Sequence, residues 1–271
     1  RRRKGELLHP AKFPETLVAD FIRFFTRAGA WVLDPFLGTG STLVAAAQCG
    51  RNGVGVELQA KYARIARARA EEACKANGTR QIALEGDSRD LLRLLASAGV
   101  PHIDYCITSP PYWNQLHRGN LRQRERALNG LDTRYSDEEA DLGNVADYRQ
   151  FLAAQKDIFD LVHEAMAPGG YLTVITNNVY TGGRLYPLAF DTLATLSERW
   201  VPKDERIWLQ DDKRLLPLGV NSAWVGNRHH QYCLLFRKEL VGRASQGDEA
   251  EERRSARPRA KAGGKARRVL E

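Results

Sequence analysis

The chain has 271 residues, 43% hydrophobic and 27% charged, ordinary for a globular protein and enough for one large α/β domain with a sizeable core or for two small ones. No apolar run approaches the roughly 18 residues of a membrane span and no signal-peptide pattern opens the chain, while Cys49, Cys74, Cys106 and Cys233 lie far apart with no CxxC pair, reading as thiols of a reducing cytoplasm and not as a disulfide frame or zinc site. The net charge of +8 sits at the ends: Arg1 to Lys4 supply four positive charges and residues 241–271 hold nine Lys/Arg against five Asp/Glu, so residues 5–240 are formally neutral and charge alone does not make the body a polyanion binder.

Residues 1–8 read as a basic arm, and "PETLVADFIRFFTRAG" (14–29) as an amphipathic helix with Pro14 in its first turn and Gly29 at its end. "AWVLDPF" reads as a buried strand, "STLVAAAQCG" as a small-residue helix stopped by Gly50, and "NGVGVEL" as a second strand. A long helix from Gln59 to Ala76 follows, then a third strand, "QIALEGDS", and a fourth, "HIDYCITSPPYW". Residues 114–146 form an irregular connection, basic in its first half and acidic in its second, too long for a simple loop and therefore a candidate functional element. Next come a helix over 147–166, a turn "APGG", a strand "YLTVITN", a helix near 186–197, and two late strands, "ERIWLQ" and "HQYCLLFRK", expected to pair antiparallel. Alternating strands and helices predict an α/β fold: a doubly wound, mostly parallel seven-stranded Rossmann-like sheet with an antiparallel edge hairpin, filling 9–240. Residues 241–271, polar and rich in Gly, Ala and Arg, read as a basic disordered tail.

"VLDPFLGTGST" (32–42) is a strand running into a glycine turn at a helix start. Gly38 and Gly40 permit a tight turn and close backbone approach to a ligand. It is no P-loop, since no Lys follows, and no complete dinucleotide fingerprint, since the third glycine is absent. Asp34 at the strand end gives the turn an acidic lip, better suited to a cation than to pyrophosphate. The second strand ends in Glu57, where a ribose diol is usually held, and the third in Asp87, within reach of an adenine amino group. Three successive strands ending in acids after a G-x-G turn describe S-adenosylmethionine.

In a doubly wound sheet the first and fourth strands flank the switch point, so "TSPPYW" is expected beside the glycine turn. Here the sequence resembles the amino-methylating DNA methyltransferases, whose signature is Ser/Asp/Asn-Pro-Pro-aromatic. "HPAKFPETL", "DPFLGTGST", "TSPPYW", "APGGYLTVI" and "RHHQYCLLFRK" carry the resemblance, over about 9–240. It implies a cofactor-binding set of Lys12, Phe13, Asp34, Pro35, Phe36, Gly38, Gly40, Ser41, Thr42, Glu57, Leu58, Asp87 and Ser88. It also implies a catalytic set of Ser109, Pro110, Pro111, Tyr112 and Trp113. Ser109 Oγ and the Pro110 carbonyl would accept both amino hydrogens of a base flipped from the duplex, with Tyr112 stacked on its face and Trp113 as wall. No metal and no covalent intermediate are required, and the absence of a Pro-Cys pair argues against carbon-5 methylation. Ser at the first motif position resembles cytosine-N4 enzymes, whereas Asp or Asn there resembles most adenine-N6 enzymes; adenine-N6, RNA and protein amide substrates stay as alternatives, and a non-catalytic nucleic-acid-binding module is disfavoured by the intact motifs.

The expected partner is double-stranded DNA, gripped by Arg118, Arg122, Arg124 and Arg126, with a cognate restriction endonuclease as genetic partner and a homodimer among the open oligomeric states. The implied location is cytoplasmic and nucleoid-associated, in a bacterial or phage-type setting. One departure stands out: the cofactor half precedes the catalytic half, the reverse of the usual order for these spellings, and no separate target-recognition domain is evident between 5 and 240.

Overall fold

Alternation of apolar residues along two adjacent strands decides where the layers go. In β1 (Trp31–Asp34) every residue is buried, and Val32 packs on one side of the sheet while Leu33 packs on the other. A strand buried on both faces belongs in a parallel sheet covered by helices. The structure, a computed structural model, describes residues 13–75, 78–113, 141–210, 217–220 and 223–239. The described residues up to Lys238 form one compact unit.

In chain order the elements are α1 (Glu15–Phe25), β1, α2 (Ser41–Gln48), β2 (Asn52–Glu57), α3 (Ala60–Cys74), β3 (Gln81–Glu85), α4 (Leu91–Ser97) and β4 (Ile103–Thr108). They continue with α5 (Tyr148–Ala165), β5 (Met166–Thr176), β6 (Val179–Thr181), β7 (Arg184–Tyr186), α6 (Leu188–Leu196), β8 (Val201–Leu209), β9 (Pro217–Val220), β10 (Ala223–Gly226) and β11 (His230–Arg237). The main sheet has seven strands in the order β3-β2-β1-β4-β5-β11-β8. The β1–β2, β2–β3, β1–β4 and β4–β5 pairs are parallel, and β11 runs antiparallel to both β5 and β8. This is the expected doubly wound Rossmann-like sheet, with the reversed strand one place in from the edge. The order reverses between β1 and β4, so their carboxyl ends form the crevice of a switch-point site.

One face is packed by α1 and α2, whose Val18, Ala19, Ile22, Ala45 and Ala46 meet Val32, Tyr105, Ile107 and Ile175. On the other, Phe159 and Val162 of α5 and Leu91 and Leu95 of α4 meet Leu33, Cys106, Leu172 and Leu234. Tyr105, Cys106 and Ile107 thus alternate between the faces, and the Cys106 thiol, whose pKa burial pushes up, is core packing.

Several local features differ from the sequence reading. Helix α4 was unforeseen; it is only seven residues long and is anchored by Leu91 and Leu95, both buried. "APGG" lies within β5, not before it: pairing steps from Ile103–Met166 to Tyr105–Tyr171, so residues 167–170 form a bulge. Its backbone remains satisfied, with Gly169 N donating to Lys238 O (2.8 Å) and Lys238 N donating to Gly170 O (2.9 Å). β8 begins at Val201, ahead of the expected strand, and two short hairpins, β6–β7 and β9–β10, were not anticipated. Among the described residues no helix is long and apolar enough to cross a membrane.

Gly40 shows what the glycine turn demands. It caps α2 in the left-handed region (φ 83°), and a Cβ there would lie 2.9 Å from Cα and Cβ of Ala66 in α3. Its hydrogen side chain therefore serves the α2–α3 contact as well as the turn. Gly40→Ala is expected to destabilise the protein by about 1–3 kcal/mol, read as a lower urea midpoint at unchanged slope.

Candidate active site

The turn between β1 and α2 is folded back on the end of β2. Leu37 N donates to Val56 O (2.9 Å), and Gly38, at φ 55°, donates its N–H to Glu57 Oε2 (2.8 Å). The other Glu57 oxygen accepts from Gln59 N (3.0 Å). Burial, reinforced by the charges of Asp34 and Asp141, raises the Glu57 carboxyl to about 7 despite those two donors.

Asp34 corrects the expectation of an acidic lip. It is fully buried beneath the turn, where Oδ2 accepts from Thr42 Oγ1 (2.6 Å) and Oδ1 from Thr108 Oγ1 (2.6 Å) and Phe36 N (3.0 Å). Burial raises its pKa, and the three donors oppose that rise. Asp34 and Thr42 therefore brace the site from below. Neither borders the cleft, and neither does Gly40.

The cleft itself, about 880 Å³ and open to solvent, lies at the carboxyl ends of β1, β2, β3 and β4. Of the expected cofactor residues it brings together Phe13, Pro35, Phe36, Gly38 and Ser41 on the turn side. Glu57, Leu58, Asp87 and Ser88 complete the far side. Ser88 Oγ donates to the Pro35 carbonyl, tying the end of β3 to the turn. Asp87 accepts from Arg89 N (2.9 Å) and pairs with the Arg89 guanidinium, which together hold its carboxyl below the usual range against a rise from partial burial. Lys12 lies outside the described residues.

The sequence reading missed Asp141. It arrives from the far end of the 114–146 connection, is 6% exposed, and borders the same cleft. Its Oδ1 accepts from Gly143 N (2.8 Å), capping a short turn at Leu142–Asn144; the Asp-x-Gly spelling was the available signal, hidden in an acidic run. The described lining thus carries three carboxylates, Glu57, Asp87 and Asp141, and no Lys, Arg or His.

On the side of the Ser-Pro-Pro motif, β4 ends at Thr108, and Ser109 and Pro111 border the cleft opposite the glycine turn. Pro110 is buried behind them. Tyr112 does not present the open stacking face expected of it. It is 8% exposed, and its hydroxyl lies 2.9 Å from Ser109 Oγ, 2.9 Å from Gln231 Oε1 and 3.4 Å from Ile175 O. Trp113, with a left-handed φ of 45°, is buried in an aromatic group with Tyr148 and Tyr186, and its Nε1 donates to Val145 O (3.0 Å). A non-glycine residue held there marks a backbone fixed by its surroundings. Gln231 was the other residue missed, because a lone glutamine near the start of a strand carries no sequence signal. Arg118, Arg122, Arg124 and Arg126 lie outside the described residues.

The chain carries a Rossmann-like α/β sheet. Its first segment, residues 1–68, matches the DNA methylase family N6_N4_Mtase. Over 65 residues the chain is 43% identical to the type II methyltransferase M.MthZI of Methanothermobacter thermautotrophicus, covering 24% of this chain and 18% of that protein. Over 63 residues it is 41% identical to the type II methyltransferase M2.DpnII of Streptococcus pneumoniae, covering 23% and 24%. Each match thus spans under a third of the relative's length. Among solved structures, an rRNA methylase from Streptococcus thermophilus overlaps 86% of this chain and 100% of its own at 13% identity, with a TM-score of 0.47; that overlap is too loose to argue from. The matched segment contains the glycine turn and Glu57.

The cofactor this kinship implies is S-adenosylmethionine, and the residues present fit it. A cleft lined by three carboxylates and, among the described residues, by no basic side chain suits a sulfonium and disfavours a pyrophosphate. Each Glu57 oxygen keeps a lone pair for a ribose hydroxyl after accepting its backbone donor. Ionised Glu57 is the better acceptor and attracts the cation, so uptake should release a proton. Affinity for S-adenosylmethionine is expected to weaken as pH falls from about 8 to about 6, through the raised Glu57 value. Glu57→Gln should weaken binding about 10–100-fold and flatten that pH dependence, both read by calorimetric titration.

Proposed function

We propose that this chain transfers the methyl group of S-adenosylmethionine to the exocyclic N4 amino group of a cytosine flipped out of double-stranded DNA, by direct displacement. The observation that carries the reading is the acid-lined cleft free of basic side chains among the described residues, running from the glycine turn to Ser109. When bound, S-adenosylmethionine supplies an electrophilic methyl on a sulfonium.

The protein's task is to present a poor nucleophile. The cytosine amine shares its lone pair with the ring, so holding both amino hydrogens favours a pyramidal nitrogen whose pair is free to attack. Ser109 Oγ and the Pro110 carbonyl are the two acceptors, on a backbone stiffened by successive prolines. The nitrogen pair forms the new N–CH₃ bond as the S–CH₃ bond breaks, and the electrons of the broken bond neutralise the sulfonium. The methylated nitrogen then releases one of its held protons to solvent. Pro111 and Phe36, apolar residues that border the same cleft, supply the surface for the base face. Asp34, through Thr108 and Phe36 N, keeps the acceptors and the turn in one frame.

Kinship of residues 1–68 to DNA methylases supports DNA as the substrate, and Ser109 at the head of the Pro-Pro motif supports cytosine over adenine by its resemblance to the cytosine-N4 enzymes. With radiolabelled cofactor, duplex DNA is expected to become methylated while tRNA and peptide do not. Ser109→Ala should lower that rate about 10–100-fold; a variant as active as the wild type would remove Ser109 from the site.

A further inference from the structure

We infer that Gln231 fixes the hydrogen-bond polarity of Ser109, making the serine an obligate acceptor toward the substrate amine; this rests on the proposed amino-methylation. Gln231 enters from β11, a strand outside both halves of the switch point, and reaches the Tyr112 hydroxyl at 2.9 Å.

Three oxygens surround that hydroxyl. Gln231 Oε1 and the Ile175 carbonyl can only accept, whereas Ser109 Oγ can accept or donate. A phenol has one proton, and it is committed to the Gln231–Ile175 side. The 2.9 Å contact between Ser109 and Tyr112 then requires the serine proton to point at the phenol oxygen. Both Ser109 lone pairs are left for the cleft that the residue borders. Burial raises the Tyr112 pKa, so the phenol keeps the proton on which this arrangement depends.

The polarity matters because a serine free to rotate has a harmful alternative. Donating its proton to the amine would occupy the nitrogen pair that must attack the methyl. The same relay explains why Tyr112 is buried: its hydroxyl links strand β11 to the catalytic serine. Gln231 touches neither amine nor cofactor in this scheme and is a positioning residue.

The test compares wild type, Gln231→Leu and Gln231→Glu in single-turnover methylation of duplex DNA. Gln231→Leu should fall about tenfold in rate, with the dissociation constant for S-adenosylmethionine unchanged within about twofold. Gln231→Glu, which retains an acceptor, should stay within about threefold of wild type. Gln231→Leu at the wild-type rate, or Gln231→Glu as slow as Gln231→Leu, overturns the inference. A second readout needs no activity: the Raman tyrosine doublet, isolated as wild type minus Tyr112→Phe, should report a donating phenol that loses this character in Gln231→Leu. An unchanged doublet also overturns it. Wild-type protein that methylates no DNA would refute the proposed function, while the Raman comparison still decides the relay.

Discussion

A single buried carboxylate holds this site together. Asp34 accepts from Thr42 at the start of α2, from Thr108 at the end of β4, and from Phe36 N in the turn between. Burying a carboxylate is costly unless its lone pairs are taken, and here three donors take them. Because those donors come from both sides of the switch point, one group aligns the glycine turn with the Ser-Pro-Pro loop. Losing Asp34 would leave two buried hydroxyls and a backbone amide without their acceptor, and would free the two halves to drift apart. Reactions between positioned groups are sensitive to displacements of an ångström.

Above this frame, the cleft sorts charge by depth. Asp34 lies under it, and Glu57, Asp87 and Asp141 line it from three different segments. Glu57 is held by two backbone donors and Asp141 by one, so both carboxylates stand in fixed positions before any ligand arrives. Asp87 likewise accepts one backbone donor, Arg89 N, and is in addition paired to the exposed Arg89 guanidinium. Fixed charge facing a cationic ligand is preorganisation of the kind that limits the cost of binding. The Ser-Pro-Pro side follows the same logic with neutral groups, since a chain from the Gln231 amide oxygen of β11 through the Tyr112 hydroxyl to Ser109 is set within the fold.

Much of this was legible in the sequence, for physical reasons that also explain the misses. Strand ends in acids, glycines after a strand and a double proline at a strand exit are local signals. They located the turn, Glu57, Asp87 and Ser109 on one edge of the sheet. Depth is not a local property. Asp34 and Glu57 both end strands, yet one lies under the turn and the other faces the cleft, because the turn folds over β1 onto β2. Gly40 read as room for a ligand, but it lies off the cleft and is room for Ala66. Tyr112 read as an exposed platform, but its position is set by Gln231 and Ile175, more than sixty residues away in sequence. Gln231 was invisible for the same reason, and Asp141, whose Asp-x-Gly spelling marks only its local turn, likewise reaches the cleft through the tertiary fold.

The most direct test of the central claim is nucleoside analysis by mass spectrometry of duplex DNA treated with the protein and isotopically labelled S-adenosylmethionine. The proposed chemistry predicts labelled N4-methyldeoxycytidine. Label found only in N6-methyldeoxyadenosine, in 5-methyldeoxycytidine, or in no nucleoside would contradict it.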